Sequence, residues 1–238
     1  MLKKMMCVGL GLFLFCLSTQ GQAELVSEWK FDGNAEDSVG NNHGTLNGNP
    51  TWAANRFGDS GKALSLDGVD DYVECRKSES LTITDAITIE AWVNLENNVP
   101  VDNARIINRF TGGTPGRGYA LNLRDNRVPV FEVRTLSGNQ RIAGITPIAA
   151  NGYTCITATF DNAYRRIYIN GQLDKELSSN GDRINGGRRN LQLGSAGGWG
   201  RYFNGSIDEV RIYNHALSPD EVKACYIKRR PVPIENND

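Results

Sequence analysis

Short runs of alternating apolar and polar residues dominate this sequence and restrict the folds open to it. In the run Thr88–Val93, the apolar residues at odd positions face one side, whereas Glu90 and Trp92 face the other. Similar runs span Val130–Thr135, Ile156–Phe160, Arg166–Asn170 and Ile207–Tyr213. In the last run, the alternation predicts that the adjacent acids Asp208 and Glu209 lie on opposite faces of a strand. A period of two is typical of half-buried strands, so the chain is predicted to be mainly β.

Turn signals separate these runs. Pairs such as Asp67-Gly68 and Asn170-Gly171 are typical of the tight turns that join antiparallel strands. Only residues 218–227 look helical, because Ser218, Pro219 and Glu221 together form a helix-start pattern with a capping box. The sequence therefore predicts an all-β fold, a two-sheet antiparallel sandwich with one short C-terminal helix. We expect one domain over residues 24–228, followed by a flexible polar tail at 229–238.

The first residues are predicted to be a targeting segment rather than part of the fold. Lys3 and Lys4 precede a short apolar run, Val8–Leu17, and Gly21-Gln22-Ala23 supplies the small residues of a cleavage site. The apolar run is too short to span a membrane as a helix. We therefore expect residues 1–23 to be a cleaved signal peptide, with an uncleaved anchor as the alternative. The protein would be secreted, periplasmic or at the cell surface, and its mature chain would have no membrane span.

The number of cysteines and the net charge bear on possible disulfides and on nucleic-acid binding. Beyond the predicted signal peptide remain Cys75, Cys155 and Cys225, an odd number that leaves open one disulfide with one free thiol. Cys155 lies in an apolar run and is equally consistent with a small buried core residue. The whole chain has a formal net charge of −1, and its basic residues are scattered apart from short runs. This balance does not indicate a protein that binds nucleic acid.

Six blocks of the sequence resemble, in order, those of the concanavalin A-like or laminin G-like (LamG) jelly-roll family. They are Trp29–Gly33 with Asp37–Gly44, Gly61–Val73, Ile87–Val93, Thr159–Asp161, Ile167–Gly171 and Phe203–Asn214. The resemblance runs from about Leu25 to Ile227 and implies a two-sheet jelly roll. The sequence departs from the family pattern just before the Thr159 block. Many family members carry a Trp-His pair there, whereas this chain has Tyr153 and Cys155. The fold hosts lectins, carbohydrate-binding modules, adhesion domains and some glycosidases, so function must be argued from a site.

The resemblance also implies a structural calcium ion (Ca²⁺) where the first and last strands meet. The ligands that it implies are Asp208 on the last strand, Asp32, the Asp67-Gly68 turn and, as a further candidate, Asp37. Carboxylate and backbone carbonyl oxygens, such as that of Gly68, are the ligands that calcium prefers. The alternative is that these aspartates form ordinary turns, in which their side chains accept hydrogen bonds from the neighbouring backbone.

A candidate ligand face follows from the residues that alternate with the core positions. They are Glu90, Trp92, Arg124, Glu132 and Arg134, with Trp199 and Tyr202 in a glycine-rich loop at the rim. An aromatic ring flanked by Arg and carboxylates is typical of shallow carbohydrate sites. The alternative is that Trp92 packs against a covering loop and that Glu90 and Arg134 form a surface ion pair.

The sequence offers little for catalysis. No strand carries the paired acids of a glycosidase, and the only histidines beyond the predicted signal peptide, His43 and His215, have no triad spacing. We therefore expect a carbohydrate-binding module with structural calcium rather than an enzyme. The alternative is an extracellular adhesion or structural domain that binds a protein partner, and the weakest reading is a glycosidase or lyase.

Overall fold

The computed structural model describes residues 24–96, 103–110, 116–124, 126–196 and 200–231, and within these ranges two β-sheets and one helix form. The eight-stranded sheet contains β1 (Leu25–Trp29), β3 (Thr51–Ala53), β4 (Ala63–Asp67), β6 (Ile87–Leu95), β11 (Thr154–Phe160), β12 (Tyr164–Ile169), β13 (Gln172–Ser178) and β15 (Asn204–Tyr213). The seven-stranded sheet contains β2 (Gly44–Asn47), β5 (Tyr72–Cys75), β7 (Ala104–Asn108), β8 (Tyr119–Leu123), β9 (Pro129–Thr135), β10 (Gly138–Ala143) and β14 (Leu191–Leu193).

The two sheets form the predicted antiparallel sandwich. Every pairing between the named strands is antiparallel. The strand order is β13-β12-β11-β6-β15-β4-β3 in one sheet, with β1 also paired to β15, and β10-β9-β8-β7-β14-β5-β2 in the other. Neighbours in each sheet are often distant in sequence, as is typical of a jelly roll. The predicted fold class is therefore confirmed.

The core fills the space between the two sheets. The odd residues of β6, Ile89, Ala91 and Val93, are fully buried there, as the alternation predicts. Phe131 of β9 reaches the same core from the other sheet. Burial of such side chains stabilises the fold by about 1.5–3 kcal/mol each. The core thus fixes which side of every strand is the outer face.

A bulge in β15 changes the predicted alternation. Ile207 pairs with Val93 and Val210 with Ala91, so three steps along β15 match two steps along β6. The extra residue lets Asp208 and Glu209 both reach Arg56 on the outer face, at 2.6 and 2.7 Å. The prediction that these acids lie on opposite faces is therefore wrong, because a bulge breaks the period of two.

The helix α1 (Pro219–Arg229) lies against the outer face of the eight-stranded sheet. Its capping box is confirmed, since the Ser218 hydroxyl accepts from the Glu221 amide and the Glu221 carboxylate accepts from the Ser218 amide at 2.7 Å. Val222 packs with Tyr168 and Tyr213 of the sheet. The helix ends two residues beyond its predicted end and includes Arg229, the first residue of the predicted tail.

Two further predictions concern the described residues. The three cysteines are all free thiols, so the disulfide that their number left open is not formed. Cys75 and Cys155 are buried, and burial raises the pKa of the Cys155 thiol well above its ordinary value. Among the described residues, no helix has the length and apolar character needed to cross a membrane.

Candidate functional site

The structure separates the predicted ligand residues onto opposite sides of the sandwich. Glu90 and Trp92 lie on the outer face of the eight-stranded sheet, but they are only 1% and 2% exposed. The Trp92 ring stacks on Tyr226 of α1 at 5.7 Å, and the Arg56 guanidinium lies 4.9 Å from the ring centre. The prediction that these two residues are exposed is wrong, because a strand pattern shows which side is outer and not what covers it.

Beneath α1 lies a network of buried charges, which we call the arginine–carboxylate network. Its members are Arg56, Arg211, Arg229, Glu28, Glu90, Asp208 and Glu209. Arg211 by itself contacts three of the carboxylates, those of Glu28, Glu90 and Glu209. Arg56 also donates from Nε to the Arg229 carbonyl at 2.8 Å, so the network ties the end of the helix to the sheet.

The network borders a cavity of about 690 Å³, which Lys30, Asp32 and Lys62 also line. Burial raises the pKa of Asp208, although the amide and guanidinium of Arg56 both favour its ionised form. The pKa of Glu28 is lowered, because Ser38 and Arg211 outweigh the effect of burial. Since arginines hold each of these carboxylates, the network is better suited to fastening α1 than to donating a proton to a substrate.

The outer face of the seven-stranded sheet carries a different arrangement, which we call the outer row. The strand registers align Glu74, Gln192, Asn108, Ala120, Glu132 and Arg141 side by side across β5, β14, β7, β8, β9 and β10. Glu132, which was predicted to lie on a ligand face, belongs to this outer row but is only 9% exposed. The outer row therefore places hydrogen-bonding side chains on five of these six strands in a single line, with Ala120 of β8 between them.

Several polar atoms on this face lack a protein partner. Among the described residues, Asn108 Oδ1, Asn122 Nδ2, Arg105 Nε and Arg134 Nε are buried and make no hydrogen bond. Asn122 and Arg105 bond each other through their other atoms at 2.8 Å. Buried polar groups are nearly always hydrogen-bonded, so these four atoms need a partner from outside the protein, such as water or a polar ligand. The eight-stranded sheet carries such atoms as well, among them Asn94 Oδ1, so unpartnered atoms alone do not distinguish this face.

An aromatic ring stands beside these atoms. Phe110 has the guanidinium groups of Arg134 and Arg105 at 5.0 and 5.7 Å from its ring centre. Phe110 and Asn108 line a cavity of about 310 Å³ together with Glu74 and Gln192 of the outer row. Burial lowers the pKa of Arg105, with Glu132 opposing that effect. The arrangement combines an apolar surface with donors and acceptors, which is what sugar recognition requires.

The remaining predicted ligand residues lie around this face or outside the described residues. Arg124 is exposed just after β8, where its amide donates to the Val128 carbonyl. Tyr202 lies beside Tyr72 of β5, with ring centres 6.4 Å apart. Trp199 falls in residues 197–199, outside the described ranges.

Sequence reasoning missed Arg105, Asn108 and Phe110. These residues belong to Ala104–Phe110, where a register shift between Arg105 and Ile107 interrupts the alternation. Asn108 therefore reaches the outer face from a position that a strict period of two does not predict. The presence of two arginines and an asparagine in one short apolar run was the available signal.

The predicted calcium ligands do not form one site. Asp37 accepts hydrogen bonds from four backbone amides, and Asp208 is bound to Arg56. Asp32 lies at the 690 Å³ cavity with Asp208, whereas its nearest charged partner is Lys62 at 3.7 Å. Gly68 lies close to Asn204: a Cβ added to this glycine would fall 2.7 Å from the Asn204 Cβ. Asp37 therefore fits the alternative to calcium binding, in which an aspartate side chain accepts hydrogen bonds from the neighbouring backbone.

Another group of carboxylates surrounds the same Asp67-Gly68 turn. Among the described residues, only Asp67, Asp70 and Asp71 bring three possible metal ligands within 4.8 Å of one another. Hydrogen bonds from the following backbone amides, with Val69 first, lower the pKa of Asp67 despite some burial. Asp71 accepts from the Asn49 amide at 2.6 Å. Three carboxylates at one turn suit a hard cation such as calcium.

Comparison with solved structures finds the same fold in proteins of low sequence identity. Domain 4 of AbnA, an extracellular arabinanase from Geobacillus stearothermophilus solved with arabinotriose, matches with a TM-score of 0.66 and 23% identity over 85% of this chain and 98% of that one. The binding domain of Paraclostridial Mosquitocidal Protein 1 matches with a TM-score of 0.72 and 20% identity over 85% of this chain. A botulinum neurotoxin DC binding domain, solved with rat synaptotagmin II, gives 0.67 and 16% over 86%.

The chain spans about half the length of the two toxin domains, 51% in each case. Among curated proteins, none matches the sequence closely enough to be called a relative. The family profile described as the concanavalin A-like lectin/glucanases superfamily matches residues 67–223, well over half of the chain. Together with the two-sheet sandwich, this match shows that the chain belongs to the concanavalin A-like lectin/glucanases superfamily.

Proposed function

We propose that this protein is a secreted, non-enzymatic module that binds carbohydrate on the outer face of its seven-stranded sheet. The observation that carries the proposal is the 310 Å³ cavity on that face, where the Phe110 ring lies beside Asn108, whose Oδ1 has no partner in the protein. A saccharide offers hydroxyl groups that both donate and accept, so a ligand in this cavity can donate a hydrogen bond to the Asn108 carbonyl oxygen. The signal-like residues 1–23 support secretion.

The AbnA domain supports a saccharide as the ligand, because it shares the fold and was solved with arabinotriose. The arginine–carboxylate network supports binding over catalysis, since its carboxylates are already held by guanidinium groups. The synaptotagmin complex of the neurotoxin domain keeps a protein partner as the alternative. The two readings differ in what would occupy the outer row.

A glycan array that includes linear arabino-oligosaccharides tests the proposal, using the chain from Glu24 onward and an Asn108→Ala variant. Wild-type protein should bind a defined set of glycans, and Asn108→Ala should weaken that binding about tenfold, because a ligand hydrogen bond of about 1 kcal/mol or more is lost. Titration calorimetry on the best glycan gives the affinity of each protein.

Asn94→Ala is the matched control. Asn94 is also a strand asparagine with an unpartnered buried Oδ1, but it belongs to β6 of the eight-stranded sheet. Its removal should leave glycan binding unchanged. Equal loss in both variants, or no glycan binding by folded wild-type protein, would reject the outer row as a saccharide site and favour the protein-binding alternative.

We also propose that calcium binds at the turn formed by Asp67, Asp70 and Asp71 and stabilises it. Bound calcium would offset the repulsion between these carboxylates and hold β4 to β5, the strands that the turn connects. Binding to the folded state alone raises the free energy of unfolding by about 2.7 kcal/mol when calcium exceeds its Kd about a hundredfold.

Thermal unfolding with calcium and with a chelator measures this effect. Calcium should raise the Tm of wild-type protein, and Asp70→Asn should remove the increase. Asp32→Asn serves as the comparison, because Asp32 lies at the position that the family resemblance implies. An increase lost only in Asp32→Asn would place the ion at the 690 Å³ cavity instead, and no increase in wild-type protein would rule out structural calcium.

A further inference from the structure

A buried arginine next to the outer row has no acidic partner. Arg109 follows β7 directly and is 1% exposed. Its Nη1 donates to the Leu81 carbonyl at 2.7 Å, and its Nη2 donates to Thr82 Oγ1 at 3.1 Å and lies 3.4 Å from the Ser78 carbonyl. Within the described ranges, no carboxylate lies at ion-pair distance from it, and its Nε makes no hydrogen bond. Buried charges are normally paired, whereas Arg109 has no ion pair and only the longer-range attraction of Glu79.

Arg109 lines a cavity of about 580 Å³ whose charge is positive. The other lining residues are Lys77, Ser78, Glu79, Thr82, Gly187 and Arg188. Three cationic side chains face one acidic side chain, whereas the whole chain has a net charge of −1. Lys77 and Arg188 also form no ion pair with a described residue. The cavity thus concentrates positive charge that the protein itself leaves unbalanced.

The position of the guanidinium is built into the backbone around it. A Cβ on Gly187 would lie 2.9 Å from the Arg109 carbonyl oxygen and 3.1 Å from its Nη1. A Cβ on Gly118, whose φ is +96°, would lie 2.0 Å from the same carbonyl oxygen. Both positions therefore need glycine for Arg109 to lie where it does. A side chain held this closely is preorganised for binding.

The guanidinium keeps donors available. It has five N–H groups, and its three acceptors within the protein occupy at most three of them. Burial lowers the pKa of Arg109, but a guanidinium stays protonated in proteins. At least two N–H groups therefore have no acceptor within the protein, and one of them is the buried Nε. The positive charge of the guanidinium still acts on a ligand in the cavity that Arg109 lines.

The positive cavity adjoins the proposed saccharide site. Arg188 lines both the 580 Å³ cavity and the 310 Å³ cavity, and the consecutive residues Asn108 and Arg109 line one each. Arg189 adds a further positive charge to the smaller cavity. The two cavities therefore share a wall at Arg188.

We propose that the positive cavity, through Arg109, Lys77 and Arg188, binds a carboxylate or sulfate group of the saccharide that lies on the outer row. This inference rests on the proposed function and makes its ligand an acidic glycan. A planar guanidinium matches the geometry of carboxylate and sulfate oxygens, and charge-assisted hydrogen bonds are about twice as strong as neutral ones. The anionic group of the saccharide would act as the acidic partner with which Arg109 forms an ion pair.

Glycans that differ only in charge test the inference. Polygalacturonate is compared with its methyl ester, and chondroitin sulfate with unsulfated chondroitin, by calorimetry at low and high salt. Wild-type protein should bind at least one charged member at least about tenfold more tightly than its less charged partner, and salt should reduce that preference. The two pairs distinguish a carboxylate from a sulfate as the recognised group.

The main variant is Lys77→Gln with Arg188→Gln, because both side chains are exposed and their loss leaves the core intact. It should lose the preference for the charged glycan. Arg109→Gln should do the same, and its thermal unfolding is measured beside it. Lys223→Gln with Arg230→Gln, which removes two exposed cations at α1, should behave like wild-type protein.

Equal binding of the more and the less charged member of both pairs by wild-type protein, or a preference retained in the Lys77 and Arg188 double variant, would overturn the inference. In either case, glycan binding that is still lost in Asn108→Ala would leave the proposed function standing. Glycan binding that shows the charge preference but is unaffected by Asn108→Ala would reject the outer row and keep the anion site. The two proposals therefore fail in different ways.

Discussion

Arg211→Met is expected to destabilise the fold by about 3–5 kcal/mol, the cost typical of breaking a buried ion pair from one side. Arg211 is 6% exposed and contacts the carboxylates of Glu28, Glu90 and Glu209. Methionine keeps most of the apolar stem but leaves these acids close together, with only Arg56, Arg229 and Lys30 nearby. Urea unfolding at neutral pH gives the change in the free energy of unfolding.

Arg183→Met is the control for this prediction. Arg183 pairs with Asp85 at 2.7 Å, but its side chain is 61% exposed, so the pair contributes about 0–1 kcal/mol. Adding Glu28→Gln to Arg211→Met should recover part of the loss, because one unpaired carboxylate is removed. A loss below about 1 kcal/mol for Arg211→Met, or no recovery in the double variant, would show that the network does not hold α1 to the sheet.

Asp37→Ala is expected to cost about 3 kcal/mol at neutral pH. The Asp37 carboxylate accepts from the backbone amides of Glu28, Val39, Gly40 and Asn42 at 2.9–3.1 Å. Alanine leaves these donors without an acceptor in a region where Asp37 itself is 4% exposed. Asp59→Ala is the control, since Asp59 is exposed and bonds only Asn55 through its side chain.

The cost of Asp37→Ala should depend on pH in a defined direction. Burial acts to raise the pKa of Asp37, but hydrogen bonds from the four amides outweigh it and lower that pKa below its ordinary value. A lowered folded pKa means that the carboxylate contributes its full stability above the unfolded value of about 3.9. This contribution is lost as the pH falls through the folded value, so the two unfolding curves should converge in acid. A constant difference across that range would contradict the assignment.

The sequence predicted the fold because strand patterns and turn signals are local. The period of two in Thr88–Val93 identified Ile89, Ala91 and Val93 as core residues, and the capping pattern from Ser218 placed the helix start. Both depend on the geometry of a few consecutive residues. The same locality limited the prediction for β15, since one extra residue moved Asp208 and Glu209 to the same face.

Most of the candidate site depended on contacts between residues far apart in the chain. The sequence alone determined that Glu90, Trp92, Glu132 and Arg134 lie on the outer faces of strands. Only the tertiary structure decided that α1 covers the first two and that the others join Asn108 and Arg105 on the opposite sheet. Strand pairing and helix docking join segments by burial of surface, which sequence spacing does not encode. Alternation thus determined the sides of each strand, while packing decided which of those sides a ligand can reach.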